Sequence, residues 1–212
     1  ALLRRQREMC PGAEMDCQGG NHDNRAERSH IGTEWDGLTS AEGTAPALSF
    51  ASLLHLDNLD ITWRNYGEHR WLWDKILIEH GSKVKSKGGQ TVAAVAQEAE
   101  SSTVFGHIHR VEQASRTVHT PFGIRTRTVM SPGTLARNDG SVPGVTKRPD
   151  WQHGVGIGHL DVANDQEHLV PLHIHNGVLF YQGFRIVGNG QRLAEEIADT
   201  INFPQIAVGA RQ

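Results

Sequence analysis

Short apolar runs alternate with helical stretches through the first half of the chain, and strand signals take over in the second. This order limits the fold more than any other feature. Residues 75–80, Lys-Ile-Leu-Ile-Glu-His, read as a strand buried on both faces. Residues 90–99 carry helical periodicity, and 102–105 form another strand-like run. Upstream, 1–9 read as a helix closed by Pro11-Gly12, 14–18 as a strand, 19–23 as a turn and 25–31 as a helical turn. Residues 33–45 are loop-like, and Pro46 opens an amphipathic helix bearing Leu48, Phe50, Leu53 and Leu54. Strands are expected at 60–64 and 69–73, then at 117–120, 124–130, 155–162, 168–175 and 179–187, with a closing helix at 191–201. The pattern predicts one α/β domain over 1–212, with two packed layers of sheet flanked by helices.

Composition narrows the function classes. A net charge of -3 over 212 residues excludes a strongly basic nucleic-acid binder, though not a local basic patch. The two cysteines, Cys10 and Cys17, make no disulfide framework, so a reducing, cytoplasmic setting is expected. They read as small buried or idle residues. No apolar stretch reaches membrane-spanning length, so no membrane partner is expected.

The chain holds 13 histidines, and histidine is the commonest metal ligand. Three histidine-bearing turns follow three candidate strands: Gly20-Asn21-His22-Asp23, Glu79-His80-Gly81 and Gly106-His107-Ile108-His109. Sites in open α/β sheets form beyond the carboxyl ends of strands. If these three strands are parallel neighbours, Asn21, His80, His107 and His109 converge on one rim. Imidazole with an amide oxygen suits Mn, Fe, Zn or Ni. A lone His-x-His is ordinarily a strand with exposed histidines. His173-Ile174-His175, which lacks flanking glycines, reads that way. His69 and His119 read as surface residues, and Trp63, Trp71 and Trp73, spaced at strand period, as core.

In this order the three blocks resemble the signature blocks of the calcineurin-like metallophosphoesterases. The stretch 78–88 and Ser131-Pro132-Gly133-Thr134-Leu135 resemble phage and bacterial members, which places the chain in a host cytoplasm if phage-encoded. The resemblance spans roughly residues 14 to 185. It implies the αββα sandwich of that family and divalent-metal-dependent hydrolysis of a phosphate monoester or diester, nucleic acid included. It implies two metal ions, manganese first among the choices. Asn21, His80 and His107 would hold one ion and His109 the other. His22 would contact the phosphate and act in proton transfer, with Asp23 orienting its ring. Lys83, Lys85 and Lys87 would form a phosphate-attracting rim near a helix N-terminus, or simply a solvated loop.

The family's Asp-x-His and Gly-Asp blocks have no counterpart before Gly20. Asp16 lies inside a strand rather than after it. The expectation is therefore an N-terminally truncated domain with an incomplete two-metal site. Upstream residues, self-association or a partner chain would complete the sheet. The alternative is a non-catalytic binding or structural descendant with a partial metal site.

Overall fold

A computed structural model describes residues 2–35, 37–39, 46–121, 123–137 and 150–188. The helix expected at 191–201 lies outside the described residues. The chain is α/β and rich in sheet, with mixed parallel and antiparallel pairing.

The elements run α1 (Leu2–Met9), β1 (Met15–Gln18), α2 (Asn21–Arg28), α3 (Phe50–Leu53), a 3-10 turn at Asp57–Leu59, β2 (Ile61–Arg64), β3 (Arg70–Leu72) and β4 (Ile76–Glu79). Then come α4 (Gln90–Glu98), β5 (Ser102–Phe105), β6 (Val111–Thr120), β7 (Gly123–Pro132), β8 (Gly154–Asp161), β9 (Gln166–His173), β10 (Val178–Tyr181) and β11 (Phe184–Val187). Pro46 does not open a helix: it bridges to Thr39, and the helix is a single turn that starts at Phe50, capped by the Ser49 hydroxyl. The run at 179–187 is a hairpin, turned at Gln182-Gly183 through two left-handed residues.

The central sheet has five strands in the order β3-β4-β5-β7-β6. β4 and β5 are parallel neighbours, as are β5 and β7. β1 is not among them. It pairs in parallel with β2 in a separate two-stranded sheet, which corrects the expectation of three neighbouring parallel strands. β1 reads Met-Asp-Cys-Gln, too polar to sit between two buried faces.

The core lies on both faces of the central sheet. On one face Val92 and Ala96 of α4 meet Phe105, Ile108 and Val129. On the other Ile76 and Met130 meet Leu169 of the β8–β9 hairpin. Val129 and Met130 are adjacent in β7, so strand alternation sends them to opposite clusters. In β4 only Ile76 is fully buried, so that strand is not sealed on both faces as expected. Trp71 and Trp73 are 51 % and 45 % exposed and do not join the core. α4 packs mainly on β6 and β7. Trp63 instead stacks on Phe50, with ring centroids 5.9 Å apart.

Candidate metal centre

Each candidate ligand sits where an element begins or ends. β1 closes at Gln18, and α2 begins at Asn21, so Asn-His-Asp is the first turn of a helix rather than a free turn. Asp23 Oδ2 accepts the Gly20 N–H at 2.7 Å, half of a capping box that ties the third helical residue back to the cap. β4 closes at Glu79 and delivers His80; β5 closes at Phe105 and delivers His107. Gly20 is required by proximity: a Cβ there would lie 2.8 Å from His80 Cε1.

The three blocks meet. His80 Nε2 lies 3.0 Å from Asn21 Oδ1 and 3.1 Å from His107 Nδ1. The two imidazoles stand at 73° with centroids 5.0 Å apart, and Tyr66 packs edge-on against His80 at 5.7 Å. One proton on Nε2 serves a single good hydrogen bond, whereas a cation suits three lone pairs at once. An octahedral ion with bonds of about 2.1 Å sets neighbouring ligand atoms about 3.0 Å apart. The donors present suit a divalent ion in chemistry, and the two distances from His80 Nε2 match that spacing. Among the described residues no three His, Cys, Asp or Glu side chains form a metal-holding group by themselves. The Asn21 amide supplies the third donor here.

Burial favours the neutral form of these imidazoles, the form in which a histidine binds a metal. Burial pushes His80 below its ordinary value, His107 adds to this, and Asp23 opposes it. Burial, then His22, lowers His107. Burial, then His107 and His22, lowers His109. Both His107 and His109 have positive φ, 64° and 58°, a backbone state uncommon for residues with a Cβ and frequent at sites. The His109 ring packs edge-on against Trp151 rather than joining the His80 contact.

His22 is exposed, and its Nδ1 accepts from Arg25 Nη2 at 3.0 Å. With Nδ1 so engaged, the neutral ring carries its proton on Nε2. The ring partner observed is thus Arg25, one helical turn on, while Asp23 holds the Gly20 amide. Lys83 pairs with Glu98, and Lys85 and Lys87 are exposed. The N-terminus of α4 beside them is already served: Glu112 Oε1 accepts the Gly89 N–H at 2.8 Å and the Arg110 Nε–H at 2.7 Å. Asp16 is taken by Arg64 and Arg70.

Sequence reading missed Tyr66, Arg25 and Trp151. Arg25 was legible as an i, i+3 partner of His22; the other two carry no local signal. His173 and His175 are exposed, in keeping with a structural reading, as is His119. His69 lies 3.5 Å from Glu79. Cys10 is exposed, not buried, and Cys17 is half-buried with its thiol pushed up by burial, then by Asp23. No helix among the described residues is long and apolar enough to cross a membrane. No protein-family model, curated protein or solved structure matches the chain.

Proposed function

We propose that the chain carries a divalent-metal site of the metallophosphoesterase kind and acts on phosphate esters, monoester or diester, in a cytoplasmic setting. The observation that carries this reading is the meeting of Asn21 Oδ1, His80 Nε2 and His107 Nδ1 from three sequence-distant blocks. The layering of the β8–β9 hairpin on the central sheet, with α4 outside, is compatible with the sandwich of that family. A divalent ion at the site supplies Lewis acidity and charge neutralisation toward a phosphate. The chain's own groups do the rest. Asn21, His80 and His107 hold the ion, with manganese first among Mn, Fe, Zn and Ni. His22, its Nδ1 fixed by Arg25, presents an Nε2–H to a phosphate or leaving-group oxygen. Lys85 and Lys87, exposed on the loop after β4, add positive charge.

A second reading has an observation of its own. Asp16, the last carboxylate before the Gly20–Asp23 block, is engaged by two arginines and is not free to bridge two ions. This favours a protein that binds metal and phosphate without turnover. One experiment separates the two. Purified chain is assayed with added Mn²⁺ against phosphomonoester, phosphodiester and DNA substrates, and Mn²⁺ binding is measured by equilibrium dialysis. Hydrolysis lost in His80→Ala, His107→Ala supports the enzyme. Mn²⁺ binding without hydrolysis supports the binding protein. No Mn²⁺ bound, or binding unchanged in that variant, overturns both.

A further inference from the structure

Tyr66 reaches the candidate metal centre from outside the three blocks that form it. Its ring packs against His80 with centroids 5.7 Å apart, and 38 % of the residue stays exposed. An aromatic ring left open to water beside a polar site offers a flat apolar surface there.

The turn that carries the ring, residues 65–68 between β2 and β3, is tightly built. Glu68 N–H donates to Asn65 O at 3.0 Å and closes the turn, and Gly67, at its third position, has φ 92°. A type II turn requires positive φ at that position. A Cβ on Gly67 would meet nothing within 4 Å, so it is the backbone conformation and not crowding that calls for glycine. The Glu68 carboxylate accepts the Asn65 backbone N–H at 2.8 Å and its side-chain amide at 3.2 Å. Trp63 Nε1–H donates to Asn65 Oδ1 at 3.1 Å, and Trp63 is itself stacked on Phe50. Two more bonds fasten the turn to the strand end that delivers Asn21. Gln18 Nε2 donates to Asn65 O at 2.9 Å, and Gly19 N–H to Arg64 O at 2.8 Å. None of these bonds uses the Tyr66 side chain. The turn therefore holds a half-open ring at a set place beside His80, and a ligand that stacks on it loses little to ordering the protein.

We infer that Tyr66 is a specificity residue: it stacks the planar ring of an aromatic phosphate ester whose phosphate is gathered at Asn21, His80 and His107, and so favours aromatic esters over aliphatic ones. The inference rests on the metal reading above and narrows its substrate class. Tyr66→Phe keeps a flat ring. Tyr66→Leu removes it and leaves the hydrogen bonds of the turn in place.

The test is calorimetric titration of the Mn²⁺-loaded full chain with phenylphosphonate, cyclohexylphosphonate and methylphosphonate, none of which has an ester bond to hydrolyse. The phenyl and cyclohexyl groups are close in size, and only the phenyl is flat. The wild-type chain and Tyr66→Phe should bind phenylphosphonate roughly 5-fold or more tighter than either of the others. Tyr66→Leu should erase that preference, with methylphosphonate and Mn²⁺ affinities unchanged. Several results overturn the inference and leave the metal reading standing. They are equal binding of the phenyl and methyl compounds, cyclohexylphosphonate bound as tightly as phenylphosphonate, a preference that survives Tyr66→Leu, or equal weakening of all three ligands in that variant. A Mn²⁺-loaded chain that binds none of the three overturns the inference together with the phosphate part of that reading. A chain that takes up no Mn²⁺, or that keeps it in His80→Ala, His107→Ala, overturns the metal reading and the inference together.

Discussion

Arg64 Nε donates to Asp16 Oδ1 at 2.8 Å across the β1–β2 pair, and Arg70 of β3 holds the other oxygen of the same carboxylate. Asp16 is 13 % exposed and Arg70 15 %. One carboxylate therefore links the small parallel sheet to the edge of the central one. Asp16→Ala leaves Arg64 without this carboxylate and Arg70 with Glu14 alone, and should cost about 1–3 kcal/mol in chemical denaturation. Mn²⁺ affinity should not change. A fall in Mn²⁺ affinity with stability intact would make Asp16 a ligand and reverse this assignment.

His22→Ala should lower any phosphoesterase turnover by roughly 10²–10⁴-fold while Mn²⁺ content by elemental analysis stays the same. Arg25→Ala, which frees Nδ1, should cost less. Loss of Mn²⁺ in His22→Ala would move His22 into the ligand set.

The metal-free chain should lose stability as pH falls below about 6.5. His80, His107 and His109 are held neutral when folded, each pushed below the ordinary histidine value mainly by burial. Just below 6.5 the unfolded chain binds more protons than the folded one, so acid favours unfolding. Above 6.5 these groups contribute no slope. Denaturation midpoints at pH 7.5 and 5.5 measure the effect, and His80→Gln should shrink the difference. Equal midpoints for the wild-type chain at both pH values would contradict the assignment.

Among the described residues β1 pairs with β2 alone, so its other edge carries unpaired backbone groups. Edges of that kind template pairing with another chain. The purified protein should associate with rising concentration in light scattering, and a Lys at Met15 or Cys17 should suppress this. Monomers across a hundredfold concentration range would count against it.

The central elements were legible because their signals are local. The strand at 102–105, with β-branched Thr103 and Val104 and aromatic Phe105, and the helix at 90–98, with its apolar periodicity, both lie where the sequence puts them. The contact of Asn21, His80 and His107 was legible through the flanking glycines, which Gly20 shows to be a packing necessity beside His80. Three things were not. The polar β1 joined β2 because no periodicity tells a strand which sheet it enters. Trp71 read as core but is largely exposed, because what packs over β3 is decided by distant elements rather than by the spacing of Trp71. Trp151 meets His109 across 42 intervening steps of chain, and nothing in its own neighbourhood announces that contact.

The Glu112 carboxylate that accepts the Gly89 amide belongs to a different element from the helix it caps. α4 thus cannot fray at its first turn independently of β6; opening one releases the acceptor of the other. In hydrogen exchange the Gly89 amide should follow the protection of β6 amides rather than that of the loop before it, so this single proton reports on whether helix and sheet open as one cooperative unit.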